Sequence, residues 1–295
     1  MASKATSAKL SVIKTYKLYV GGAFPRSESG RSLPVKAADG RVLAHISHAS
    51  RKDLRDAIEV AHAAQPKWAN ATAYNRGQVL YRLAEMVQAR EAECIALLCA
   101  TGEISRTDAR KEVALSIDRC VAWAGWADKI AVVLGGKQPV AGPYLVYSTP
   151  EPIGVVVAVA PEKNPLLGLL SVLLPALAVG NAVVLCGGHR NPLIAATFGE
   201  ALATSDVPPG VANVLTGRVS ELIPWIASHR EVHACIAAGL SKPDAQALEL
   251  GAAENMKRVT ILDRDIDLAD NAALHSPWIA ERLVEVKTVW HPSAI

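Results

Sequence analysis

The sequence predicts an α/β fold, an open and doubly wound sheet of five strands covered by helices, on three observations within Glu151–Pro192. Val155–Ala160 is a short, almost wholly apolar, Val-rich run, which suits a strand buried on both faces, where alternation is not needed. After the break at Pro161-Glu162-Lys163-Asn164-Pro165, Leu166–Ala178 places leucines on every face, as in a helix deep inside a large domain. Gly180-Asn181 supplies a stop, since both residues tolerate the left-handed conformation, and Ala182–Leu185 is a second buried strand. Strand, turn, helix, turn, strand is a βαβ crossover, the repeating unit of a doubly wound sheet.

In chain order, residues 1–15 read as a small, polar, disordered lead. Tyr16–Phe24 and Ser32–Lys36, around a Gly/Ser/Arg turn, read as a hairpin or short strands. Ser50-Arg51-Lys52-Asp53 is a box-like cap with Asp53 standing in for Glu, and Leu54, Ala57, Ile58 and Ala61 give the helix behind it one apolar stripe. Val79, Leu80, Leu83, Met86 and Val87 mark the core face of a longer helix or helix pair from Ala73 to Ala100, ended by Gly102. Lys111–Lys129 is another helix, and Val140–Thr149 alternates as a strand outside the main sheet. Beyond the central crossover, Pro192–Thr204 is a sheet-covering helix and Val211–Thr216 a third strand. Ser220–Ser228 is a further helix, Ala234–Ala237 a fourth strand and Val259–Leu262 a fifth.

A chain of 295 residues, 51% hydrophobic, can bury a full core and fits one large or two modest domains. A net charge of +3 without Lys/Arg clusters gives no nucleic-acid footprint. The longest apolar runs are broken by Gly or Pro well short of a membrane span. Met1–Leu10 lacks the apolar core of a signal peptide, so the expected compartment is the cytoplasm. Five cysteines without a Cys-x-x-Cys point to reduced thiols. No metal site is expected. His45, His48, His229 and His233 suit surface or capping roles, and the run Asp263, Asp265, Asp267, Asp270 lacks the Gly and terminal Glu of a calcium loop.

Three segments carry a resemblance. Glu151–Pro161 (EPIGVVVAVAP), Pro175–Leu185 (PALAVGNAVVL) and Pro208–Gly217 (PPGVANVLTG) resemble, in order and spacing, the coenzyme-binding domain of NAD(P)-dependent aldehyde dehydrogenases. Tyr19–Phe24, Asp53–Ala64, Asn75–Ala84 and Ala124–Lys129 fall where that family has similar pieces.

The resemblance implies a thiolate nucleophile, an oxyanion-stabilising Asn and a Glu general base. The family's Pro-Trp-Asn-Phe-Pro-Leu motif falls on Pro161–Leu166, which puts Lys163 on the Asn position and Asn164 one residue late. Lys257-Arg258-Val259-Thr260 is present, but Ile261-Leu262-Asp263-Arg264-Asp265 replaces the Glu-Leu-Gly-Gly motif that should follow. The nucleophilic cysteine belongs to a catalytic domain for which too few residues follow Leu262, so that domain is expected to be absent and no catalytic residue is assigned. Cys94, Cys99, Cys120 and Cys235 read as small apolar core side chains. Cys186 replaces a family lysine, and a Cys186–His189 pair is a weak signal for a substitute nucleophile.

The implied cofactor site falls at Pro161, Glu162, Lys163, Cys186, His189, Gly239 and Leu240. Its ribose-holding Lys and Glu become Cys186 and His189, a hydroxyl is lost at Gly239-Leu240, and Glu162 adds negative charge near the pyrophosphate. Two lost charge-assisted hydrogen bonds at about 1.5–3 kcal/mol each weaken binding by roughly two to four orders of magnitude. No cofactor is therefore expected, and the NAD(P) site reads as vestigial.

Leu283–Trp290 (LVEVKTVW) resembles the family's final strand, which belongs with Tyr144–Tyr147 to an oligomerisation arm. The implied layout is a coenzyme-binding-like, Rossmann-like α/β domain over 16–133 and 151–270 and an arm over 134–150 and 283–295. Tyr144, Val146, Val284, Val286, Thr288 and Trp290 are its oligomerisation residues. The chain is most similar to the degenerate second half of the two-part, family-sixteen aldehyde dehydrogenases. The expected function is a non-catalytic subunit that assembles with a full-length aldehyde dehydrogenase. The alternative is an active or nucleotide-binding oxidoreductase that uses Lys163, Cys186 or His189.

Overall fold

The structure, a computed structural model, describes residues 12–293. Strand β1 (Thr15–Tyr16) runs parallel to β3 (Val42–Ser47), and β2 (Ser32–Lys36) pairs antiparallel with β3. This corrects two expectations. The disordered lead does not extend to residue 15, its residues 1–11 lying outside the described part. Of the hairpin-or-short-strands reading, the strand Ser32–Lys36 is present, but it pairs with Val42–Ser47 and not with Tyr16–Phe24, through an Asp39-Gly40 turn of the kind that reverses strands.

Helix α1 (Arg51–Ala69) starts with a complete capping box. The Ser50 hydroxyl accepts from Asp53 N at 3.2 Å, and the Asp53 carboxylate accepts from Ser50 N at 2.7 Å, so the shorter acid serves. The expected long helix is a pair, α2 (Ala73–Gln88) and α3 (Glu91–Ala100). Helix α4 (Arg106–Trp126) begins earlier than expected because Ser105 caps it, and α5 (Ile130–Leu134) follows.

A short strand and a long one come next, β4 (Gly136–Gln138) and β5 (Tyr144–Pro152). The central unit is β6 (Val155–Val159), α6 (Pro165–Ala178) and β7 (Ala182–Cys186). After it come α7 (Pro192–Thr204), β8 (Ala212–Leu215), a 3₁₀ turn at Val219–Glu221 and α8 (Ile223–Ser228). The sheet closes with β9 (Ala234–Ala238), α9 (Lys242–Ala253) and β10 (Arg258–Leu262). Two single-turn helices, α10 (Asn271–Leu274) and α11 (Trp278–Glu281), lead to β11 (Val284–Pro292).

The main sheet has the order β10-β9-β6-β7-β8 with every pair parallel. Alternation along β6 sends Val155, Val157 and Val159 to a face covered by α1 and α8, and Val156 and Ala158 to a face covered by α6. All fourteen residues of α6 are buried, because α4 covers the side that the sheet leaves free. Truncating a leucine such as Leu169 or Leu173 there costs on the order of 2–5 kcal/mol. Of the stop pair, only Gly180 is left-handed, at φ +98°. Asn181 acts through its side chain, accepting from Gly154 N and donating to Leu283 O, each at 2.9 Å.

Outside the sheet, β11 lies antiparallel along the whole of β5, with β4 on the other side of β5. Only Asp263–Leu283 separates β10 from β11, and it is packed against the domain. Arg119 of α4, fully buried, donates to Ser171 Oγ, Leu268 O and Asn271 Oδ1, while Trp123 Nε1 donates to Leu274 O at 3.1 Å. Asp270 caps α10, its carboxylate accepting from Ala272 N and Ala273 N.

Candidate nucleotide site

The chain leaves β6 for β7 on one side of the sheet and later fills the other side with β9, so the strand order reverses between β6 and β9. In open α/β sheets a ligand binds outside the carboxyl ends of the strands at such a switch point. Three loops meet there. Pro161–Asn164 follows β6, Gly187–Asn191 follows β7, and Gly239–Ser241 follows β9. Gly239 sits at φ +70°, and a Cβ on it would come within 3.2 Å of Pro161, so a side chain is disfavoured where the two loops approach.

Two hollows open on this edge and share Glu162, His189, Gly239 and Arg264 as lining. The larger, about 600 Å³, lies toward α4 and includes Pro161, Lys163 and Arg190. The smaller, about 250 Å³, lies toward α9 and includes Arg218, Leu240 and Ser241. Lys163, Arg190, Arg218 and Arg264 are all exposed, so four cations rim the combined site.

Of the residues that the sequence assigns here, the structure brings together Pro161, Glu162, Lys163, His189, Gly239 and Leu240. Cys186 is corrected: the inward face of β7 holds its side chain in the core, 3% exposed, and it lines neither hollow. Burial pushes its thiol up to about 12, so it is not a thiolate near neutral pH. Burial likewise pushes Cys120 and Cys235 to about 12 and Cys94 to about 11. Lys163 points outward, and Asn164, left-handed at φ +50°, opens α6 with its side chain beside Glu112.

Sequence reasoning missed Arg218 and Arg264, which follow the carboxyl ends of β8 and β10, and Arg190 beyond β7. Inspecting the residues just after each predicted strand finds them. It also missed Glu112, a buried carboxylate of α4 that accepts from Leu166 N at 2.8 Å and Leu167 N at 3.2 Å. Burial raises its pKa, against the opposing pull of those N–H groups. The positive end of α6 is therefore already occupied from within the chain.

Comparison with known proteins gives one answer throughout. The sequence model of the Aldehyde dehydrogenase family matches residues 25–262. Aldehyde dehydrogenase family 2 member B4, mitochondrial, of Arabidopsis thaliana is 32% identical over 249 residues, which cover 83% of this chain and 46% of that protein. Among solved structures, 3,6-anhydro-L-galactose dehydrogenase in complex with NAP is similar at a TM-score of 0.78 and 27% identity, over 84% of this chain and 51% of that one. PnpE from Pseudomonas sp. WBC-3, solved in complex with nicotinamide adenine dinucleotide, is similar at 0.79 and 27%, over 83% and 50%. The chain thus spans about half the length of the relatives it matches. These neighbours correct the expectation that no cofactor binds, since they point to a nucleotide cofactor rather than none. That expectation counted lost contacts position by position and left out Arg190, Arg218 and Arg264, which the fold gathers from three separate loops onto the same edge.

Proposed function

The chain belongs to the aldehyde dehydrogenase family, and on that basis we propose that it binds a nicotinamide dinucleotide at the switch point and serves as a non-catalytic subunit of a larger aldehyde dehydrogenase assembly. The observation that carries this reading is the site itself. Lys163, Arg190, Arg218 and Arg264 rim two adjoining hollows at the switch point, among the carboxylates Glu103, Asp108, Glu112, Glu162 and Asp244, and offer donors to a pyrophosphate, while Cys186, the thiol of that edge, is sealed beneath them. The chain's own residues would hold and orient the nucleotide; the hydride chemistry such a group supplies requires a reacting thiol and base that these loops do not present.

The partner in this proposal is a full-length aldehyde dehydrogenase, met through the arm, in the cytoplasm. Tyr144, Val286 and Trp290 are exposed, Tyr144 and Trp290 stacking edge to face at 5.8 Å, and β11 is a sheet edge with nine residues of pairing capacity. Such an edge favours strand addition by another chain. Val146 and Val284 are buried and anchor the arm, and Thr288 bonds Ser148 across the sheet at 2.7 Å. Similarity to the degenerate half of family-sixteen enzymes is part of the same proposal. No helix among the described residues is long and apolar enough to cross a membrane.

Fluorescence titration of the chain with NADH tests the nucleotide half of this reading. Saturable binding that weakens with added salt supports it; no binding at millimolar NADH contradicts it.

A further inference from the structure

Glu162 is the one carboxylate that stands between the two hollows, and it is held in place from three directions. Its Oε1 accepts from His189 N at 3.0 Å and lies 2.6 Å from His189 Nδ1, while its Oε2 accepts from Arg190 N at 2.8 Å. The glycine before His189 makes this possible: a Cβ on Gly188 would lie 3.1 Å from Glu162 Oε2. A carboxylate offers about four lone-pair sites, so Oε2 keeps one free, and the side chain is 29% exposed toward the hollows.

In doubly wound sheets the loop after the second strand of the first βαβ unit meets the adenosine ribose, where an acid accepts the ribose hydroxyl and an arginine accommodates a 2′-phosphate. Here that loop, Gly187-Gly188-His189-Arg190, has no acid of its own. Glu162, which follows β6, leans across and puts a fixed carboxylate against the backbone of that loop. Arg190 lines only the larger hollow, while Glu162 and His189 also line the smaller one, where Arg218 and Arg264 stand as well. We propose that Glu162 is the specificity-determining residue of the nucleotide site, accepting a ribose hydroxyl and selecting NAD(H) over NADP(H). A hydroxyl donates to the free lone pair of Oε2; a 2′-phosphate offers only acceptors and negative charge to a carboxylate that cannot swing away without losing its backbone donors.

This inference rests on the nucleotide reading above, and its test separates the two. NADH and NADPH are titrated by fluorescence against the wild-type chain and Glu162→Gln, with circular dichroism as the check on folding. The wild type is expected to bind NADH about tenfold or more tightly than NADPH, the scale of one charge-assisted hydrogen bond, and Glu162→Gln to bring the two near parity. Equal binding of both by the wild type, a preference for NADPH, or an unchanged ratio in Glu162→Gln overturns the role of Glu162 and leaves nucleotide binding standing. Failure of the wild type to bind either overturns both.

Discussion

Asn181 donates to the carbonyl of Leu283 at 2.9 Å and so ties the entrance of the last strand to the turn that ends the central helix. The same amide accepts from Gly154 N at 2.9 Å, and its side chain is fully buried. The arm and the sheet therefore meet at this residue, and Arg258 of β10 adds a second tie through Val284 O and the Glu285 carboxylate. Asn181→Ala leaves two buried backbone groups unsatisfied and should cost about 2–4 kcal/mol in urea unfolding. A loss below about 0.5 kcal/mol would show that the tie carries no weight.

Arg119 holds the Asp263–Leu283 connection through Leu268 O and Asn271 Oδ1. Its guanidinium is fully buried, and burial lowers its pKa to about 10. Arg119→Met should loosen that connection first. Amide hydrogen exchange is expected to rise across Asp263–His275 while Val155–Val159 stays protected. Equal exchange in both variants would rule out this anchoring role.

The sheet was legible because it is written in buried apolar runs: Val155–Val159, Ala182–Cys186 and Ala234–Ala238 need no partner information to read as strands. Of the hairpin-or-short-strands reading, the strand at Ser32–Lys36 was legible, but its partner Val42–Ser47 was not, because that strand holds a histidine and a serine. At the site, the loops were legible from the resemblance, but their electrostatics were not. Arg218 and Arg264 lie far apart in sequence and meet only because β8 and β10 end on the same edge. The burial of Cys186 was set by strand parity, which sequence gives only when the sheet's two faces differ in polarity.

Lys257 gives a pH test. Its ammonium donates to Ile226 O at 2.6 Å and His229 O at 2.9 Å, and burial pulls its pKa down to about 8 from 10.5. Between those values the unfolded chain binds more protons than the folded one, so this group makes stability rise with pH. Relative to Lys257→Met, the wild type should gain stability as pH goes from 7.5 to about 10. The difference between the two, measured by urea unfolding at each pH, isolates the lysine from the thiols; a flat difference contradicts its burial as a cation.

The thiols predict a reactivity pattern. Cys94, Cys120, Cys186 and Cys235 are buried, and Cys99 is partly exposed. A thiol reagent at neutral pH should label at most Cys99 quickly in the folded chain and all five after unfolding. Rapid labelling of Cys186, or aldehyde oxidation that Cys186→Ser removes, would contradict the non-catalytic reading.

The central claim is that the arm of this chain completes itself on a full-length aldehyde dehydrogenase. Leu283 and Val284 belong to the core, so the informative truncation begins at Val286 and removes most of the exposed edge without opening the domain. Size-exclusion chromatography with light scattering, run on the chain mixed with a full-length aldehyde dehydrogenase from the same cell, measures this directly. The account predicts a stable mixed complex that forms with the intact chain and is lost when residues from Val286 onward are removed. An intact chain that stays monomeric beside its relative, or a truncated chain that pairs just as well, would contradict it.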